Sequence, residues 1–310
     1  MCQSGTLNTC SGHGRCSTGT GACTCTGGYT GSDCSIAPCT TPGAPAGVTA
    51  TAGADQVSLS WTAPSGGAAS YTVLRSTTKG SGYTSLGTTT STSLVNTGLT
   101  NGVLYYYVVQ ASNGATCNSV YSREKACGGG TYCDDFESGA APNWTVSNGT
   151  FATSLSSGNY VYKQTQTGST TAGRYAYKAS STANYTVQAL VRVSQFGDTT
   201  SSSRAGVAAR YSNSTTSYTF GLAGNNTLVL QKGYATSIAN CAAIAFTAST
   251  GTWYTLKIVV SGTSIKTYVD GVLKHSCTDS GVSAANSAAL FTGSGGTAGT
   301  LADFDDVFVY

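Results

Sequence analysis

The chain has 310 residues, 12 of them cysteine and 40 glycine, and only 9% are charged, where a globular domain carries about 25%. A formal net charge of +3, scattered along the chain, excludes a nucleic-acid footprint. No apolar run approaches the roughly 18 residues of a membrane-spanning helix. Length predicts two or three domains, and the excess of Gly, Ser, Thr and Tyr over charged residues predicts an all-β chain.

Six cysteines open the chain with the spacing C-x7-C-x5-C-x6-C-x-C-x8-C: Cys2, Cys10, Cys16, Cys23, Cys25 and Cys34. A segment this short, almost without Leu, Ile or Val, cannot bury enough apolar surface to fold alone. It needs disulfides, and so an oxidising, extracellular compartment. Zinc would call for closed sets such as paired C-x2-C, whereas here the close pair is C-x-C and His13 the sole nearby imidazole. Six cysteines by themselves leave the pairing open. With Tyr29 and Gly31 between the last two, however, the pattern resembles the EGF-like module. That resemblance implies Cys2–Cys16, Cys10–Cys23 and Cys25–Cys34, each loop contributing about 3 kcal/mol in the chain-entropy model. Only Met1 precedes Cys2, where calcium-binding EGF-like modules carry acidic residues, so no calcium is expected there. Met1 against Cys2, without a signal peptide, reads as an initiator added to a mature or truncated chain.

Residues 40–127 form a second module. Thr41-Pro42-Gly43-Ala44-Pro45 is a turn-rich entry. Val57, Leu59 and Trp61 then alternate with Ser58 and Ser60 as a half-buried strand, and Tyr71, Val73 and Arg75 make the next. The run from Leu99 through Gly102, Tyr105 and Val109 to Ala111 resembles the fibronectin type III domain, with Trp61 and Tyr105 at its core. Without an Arg-Gly-Asp tripeptide, a spacer role is expected. In such a sandwich the chain enters at the pole holding the loop before the last strand, which predicts Cys39–Cys117. Cys127 and Cys133 then close a collar around Gly128–Tyr132. The alternative, Cys39–Cys127 with Cys117–Cys133, suits that geometry less well. Cys241 and Cys277 remain, to staple strands of the third module.

Residues 128–310 make that third module. Tyr185, Val187, Ala189, Val191 and Val193 alternate with Gln188 and Arg192; Tyr218, Phe220 and Leu222 with Thr219 and Gly221; and Tyr254, Leu256, Ile258 and Val260 with Thr255 and Lys257. Each strand has one core face and one wet face, which predicts a two-sheet jelly roll. Phe136-Glu137-Ser138-Gly139, Trp144, Tyr160-Val161-Tyr162, Val207-Ala208-Ala209-Arg210-Tyr211, Thr252-Trp253-Tyr254, Tyr268-Val269-Asp270-Gly271 and Phe304-Asp305-Asp306-Val307 carry a resemblance. They look like the concanavalin A or laminin G-like modules appended to bacterial secreted polysaccharide lyases and glycosidases. The resemblance implies glycan binding without catalysis, and a bacterial source.

Six of the twelve acidic residues fall in two clusters at opposite ends of this module: Asp134, Asp135 and Glu137, and Asp303, Asp305 and Asp306. Terminal strands of a jelly roll pair side by side, and like carboxylates brought together favour a hard cation, so a structural calcium is expected among them. No organic cofactor is. Alternation places Gln188, Arg192, Arg210, Thr219 and Gln231 outward on one group of strands and Lys257, Lys266 and Tyr268 on another, a cationic and aromatic mixture suited to an acidic polysaccharide. Tyr160, Tyr162, Tyr175 and Tyr177 are further aromatic candidates.

No catalytic residue is assigned. His13 and His275 lack partners at recognisable spacing, and no Glu-x-Asp-x-x-Glu strand, Gly-x-Ser-x-Gly elbow or His-Glu-x-x-His helix occurs. The expected role is a secreted carbohydrate-binding or adhesion protein, with a cell-surface protein as a further partner. The alternatives are a self-associating subunit of an extracellular fibre and, less favoured, a polysaccharide lyase or glycosidase. Asn143, Asn148, Asn184, Asn213 and Asn225 stand in glycosylation sequons, for which chance suffices in so Ser/Thr-rich a chain.

Overall fold

The computed structural model describes residues 10–17, 19–114, 117–170, 172–180, 182–234, 236–282, 287–296 and 298–310. Among them every regular element is a strand, and no helix is long and apolar enough to cross a membrane. The first module is a two-stranded ribbon, β1 (Gly14–Cys16) against β2 (Cys23–Cys25). Disulfides Cys10–Cys23 and Cys25–Cys34 hold it, with Cα atoms 5.7 and 5.3 Å apart. Cys2, and with it the pairing implied for Cys16, lies outside the described residues.

The second module is a β-sandwich. One sheet holds β3 (Ala46–Gly53), β4 (Gln56–Thr62) and β7 (Ser93–Thr97). The other holds β5 (Ser70–Ser76), β6 (Thr84–Thr89), β8 (Tyr105–Ser112) and β9 (Lys125–Cys127). Strict alternation sends Val57, Leu59 and Trp61 inward against Tyr71, Val73, Tyr105, Tyr107 and Val109, and Trp61 meets Tyr71 edge-on at 5.5 Å. Cys39 is bonded to Cys117, and Asn113 Nδ2 donates to the Thr40 carbonyl at 2.9 Å, so the entry segment is tied to this sandwich.

The third module has two larger sheets. Its shorter strands are β10 (Tyr132–Asp134), β11 (Thr145–Ser147), β12 (Phe151–Ser156), β13 (Asn159–Gln164), β14 (Arg174–Ala179), β19 (Thr236–Ser237) and β20 (Ile244–Ala245). The longer ones are β15 (Tyr185–Gln195), β16 (Arg204–Asn213), β17 (Thr216–Ala223), β18 (Thr227–Lys232), β21 (Trp253–Ser261), β22 (Ser264–Val269), β23 (Val272–Thr278), β24 (Ser287–Thr292) and β25 (Leu301–Val309). The first sheet runs β12-β13-β25-β15-β21-β22-β23, with β10 also on β25; the second runs β11-β14-β24-β16-β17-β18-β19, with β20 on β18. Between them lies a core of Val187, Ala189, Val191, Val207, Phe220, Leu222, Leu256, Ile258, Leu290 and Phe304. Cys241–Cys277 pins the segment after β19 to β23.

The second and third modules meet closely. Cys127–Cys133 joins β9 to β10 across six positions, and the glycines between them are pressed into the junction. A Cβ on Gly128 would stand 2.5 Å from Phe308 Cζ, and one on Gly130 2.8 Å from Tyr310 Cβ. Only hydrogen fits there, which accounts for the Gly128-Gly129-Gly130 run.

Candidate functional site

The outer face of the first sheet gathers five of the sequence-predicted residues. Register sets Gln188 opposite Lys257, and Lys257 opposite Tyr268. The Lys257 ammonium lies 4.3 Å from the Tyr268 ring centroid, and Lys266, two positions before Tyr268, is exposed. Two rows further along, Arg192 stands opposite both Trp253 and Asp303. Its guanidinium bonds Asp303 through Nε and Nη2 (3.0 and 2.7 Å) and Ser156 (3.0 Å), and it lies 4.6 Å over the Trp253 ring. Sequence reasoning did not select Trp253. The signal was available, because Trp253 shares the outward parity of Thr255 and Lys257.

This face runs into a cleft of about 610 Å³ at the junction with the second module. Lys79, Tyr106 and Glu124 line one wall; Ser156, Asn159, Leu190, Arg192, Trp253 and Asp305 line the other. Clefts of this size between domains, with an aromatic wall and a few convergent polar groups, suit small ligands.

The remaining predicted residues lie on the second sheet, and two of the outward assignments are corrected. Arg210 is buried. A bulge between Ala209 and Asn213 breaks the alternation, Arg210 takes φ +50°, and its guanidinium is consumed by the carbonyls of Ala183, Val282 and Gly262 at 2.8–2.9 Å. Thr219 keeps its parity but is covered, its hydroxyl donating to the Gly233 carbonyl at 2.9 Å. Gln231 is half-buried and accepts from Arg204. Around it the outward side chains form a buried aromatic cluster of Tyr175, Tyr211 and Phe291, with Tyr177 half-buried at its margin. Of the other aromatic candidates, Tyr162 is core and Tyr160 packs partly against it.

Antiparallel pairing of β10 with β25 brings the two acidic clusters to one region. There each carboxylate has a partner within the protein. Asp303 pairs with Arg192 and Lys163; Asp305 and Asp306 share Lys79 of the second module (3.0 and 2.9 Å); Asp135 pairs with Lys125 (2.7 Å) and Glu137 with Arg123 (2.9 Å). Asp134 accepts from Tyr132 and Trp144. Burial raises the pKa of Asp134, and burial, then the neighbouring Asp306, push Asp305 up to about 7. Burial works against the Lys79 charge, but Asp306 and Asp305 outweigh it and hold that pKa above the ordinary lysine value. Among the described residues no three of these carboxylates offer oxygens within 4.8 Å of one another. The set does not fit a calcium ion, which takes about six to eight convergent oxygens; lysines and arginines supply the positive charge.

For catalysis the geometry offers little. His13 stacks on Tyr29 at 3.5 Å. His275 is buried, its Nδ1 on Thr267 Oγ1 (2.7 Å) and Nε2 on the Ala242 carbonyl (3.2 Å), and burial holds its pKa below the ordinary histidine value. Among the described residues, no strand of the second sheet contains Asp or Glu, where a glycosidase uses two carboxylates.

Residues 164–310 match the model of the concanavalin A-like lectin/glucanases superfamily, residues 43–124 the fibronectin type III domain, and residues 8–37 the teneurin-like EGF domain. The chain is an EGF-like module, a fibronectin type III domain and a concanavalin A-like jelly roll in series. Similar solved structures include the carbohydrate binding module CBM66 from Bacillus subtilis, 17% identical over 54% of this chain and 94% of that one, with TM-score 0.41. A Fn3-like protein from Clostridium thermocellum is 40% identical over 28% of this chain and 92% of that one, with TM-score 0.26. The Bacillus licheniformis beta-glucanase is 11% identical over 58% and 97%, with TM-score 0.41. No curated protein matches the chain.

Proposed function

We propose that this is a secreted, non-catalytic glycan-binding protein. Its concanavalin A-like domain holds saccharide on the outer face of the first sheet and in the adjoining cleft, and the EGF-like and fibronectin type III modules act as a braced spacer. The observation that carries the reading is the pair of parallel rows, Arg192 against Trp253 and Lys257 against Tyr268. Each offers an aromatic surface for a pyranose ring beside a cation that donates to its hydroxyls. The superfamily match supports a carbohydrate ligand, and the five disulfides among the described residues support an extracellular setting.

Affinity electrophoresis through gels containing pectin, alginate or β-glucan tests this. At least one glycan should retard the full chain, Trp253→Ala should run unretarded, and no new reducing or unsaturated ends should form. Unaltered mobility in every gel would remove the glycan reading, and turnover of any of the three would remove the non-catalytic part.

A further inference from the structure

The outer face of the second sheet holds a positive charge with no counter-charge. Arg204, the first residue of β16, points away from the core yet is 1% exposed. Its guanidinium carbon lies 5.1 Å from the Tyr234 ring centroid and 5.7 Å from that of Phe291. Of the five N–H donors of an arginine, three are matched, each to a neutral acceptor. Nη1 donates to Gln231 Oε1 (2.5 Å) and the Ser201 carbonyl (3.3 Å), and Nη2 donates to the Tyr234 carbonyl. Nε–H has no acceptor.

Unmatched groups surround it. The Tyr175 hydroxyl is buried without a partner, and a Cβ on Gly173 would stand 2.9 Å from the rings of both Tyr175 and Tyr234, so the two close one floor beside Arg204. Arg174, next in sequence, donates to the Gly168 carbonyl through Nη2 and leaves Nε and Nη1 unmatched. Neither arginine forms an ion pair with any carboxylate among the described residues. Asp198, on the rim, turns back on Thr200 N and Oγ1 (2.9 and 2.6 Å), and its Oδ2 is buried and unmatched.

Burying a guanidinium among neutral groups is strongly unfavourable unless something supplies the missing charge. We propose that Arg204 and Tyr175 form a binding site for the carboxylate of an acidic sugar. The free Nε–H and the Tyr175 hydroxyl donate to the carboxylate, as a planar guanidinium does best. The buried cluster of Tyr175, Tyr211 and Phe291 backs the site, and the half-buried Tyr177 at its margin is the aromatic surface offered to the sugar ring. Both donors are closed to solvent in this structure, so the exposed rim residues, 165–169 on one side and Gly295 and Gly296 on the other, part to admit the ligand. This site is on the opposite sheet from the Arg192–Trp253 rows and stands or falls separately from them.

Calorimetric titration of the full chain at pH 7 with sodium galacturonate, galactose and sodium acetate, at equal ionic strength, tests it. Galacturonate should bind at least about tenfold more tightly than either of the others, since charged hydrogen bonds and ring contact are both needed. Arg204→Gln should weaken galacturonate at least about tenfold while leaving the ligand-free melting midpoint unchanged or raised, because it removes an uncompensated buried charge. Tyr175→Phe loses no internal hydrogen bond, so it keeps the fold, and it too should weaken galacturonate by about tenfold. It decides the matter if Arg204→Gln fails to fold. Galactose or acetate binding as tightly as galacturonate, or wild-type galacturonate affinity in Tyr175→Phe or in folded Arg204→Gln, would overturn the site. Trp253→Ala should bind galacturonate as wild type does, which separates this outcome from that of the glycan gels.

Discussion

Lys79→Met removes the cation at the junction of the second and third modules and keeps most of the side-chain volume. Asp305 and Asp306 are both 2% exposed at their side chains, and Lys79 Nζ is 3.0 and 2.9 Å from them. Stranding a buried charge by deleting its partner costs about 3–5 kcal/mol. The Lys79 side chain is 39% exposed, so water offsets part of that, and about 2–3 kcal/mol is the expected loss at pH 8. At about 2–4 °C per kcal/mol for a unit of this size, the melting midpoint falls by roughly 5–10 °C. At pH 5 the loss should be smaller. Asp305, with its pKa pushed up to about 7 by burial and then by Asp306, is already protonated there, so one carboxylate fewer faces the lost cation. Scanning calorimetry at the two pH values reads both numbers. A loss under about 1 °C at pH 8, or an equal loss at both, would refute the reasoning.

Three further outcomes follow from the same region. Burial, then Asp306, push the Asp305 pKa up to about 7, above the ordinary carboxylate range, so the folded state binds the extra proton, and its contribution to stability is full below about pH 4 and lost as pH rises to about 7. The midpoint should therefore decline over that window, and Asp305→Asn should flatten the decline in a pH series of thermal melts. Gly130→Ala, which would set a Cβ 2.8 Å from Tyr310 Cβ, should cost about 1–3 kcal/mol in urea denaturation; a neutral result would mean that the junction is looser than described. Calcium or a chelator should move the wild-type midpoint by less than about 1 °C, because resident cations already pair these carboxylates; a rise of several degrees with calcium would contradict that assignment.

The architecture was legible in the sequence because its signals are local. Cysteine spacing, Trp61 and Tyr105 in their alternating runs, and the period-two strands around Val187 and Leu256 each depend on neighbours within a few residues. Placement on the faces was legible only where alternation is unbroken. Gln188, Arg192, Lys257 and Tyr268 obey it, whereas the bulge after Ala209 turns Arg210 into the interior. Thr219 shows a second limit, since parity says which way a side chain points and not whether the segment at Gly233 covers it. The acidic clusters could be placed side by side by pairing terminal strands, but Lys79 comes from a turn 226 positions before Asp305 in another module, and no local pattern announces such a partner. Arg204 was invisible for the same reason: its importance lies in the carboxylate that is not beside it.

The most direct test of the central claim is a glycan array probed with the intact chain, with neutral and uronate-containing polysaccharides side by side. Retention on a defined glycan class is expected, weakened by Trp253→Ala while the melt of that variant stays cooperative. Folded wild-type protein that retains no glycan, or a Trp253→Ala variant that binds as wild type does, would contradict it.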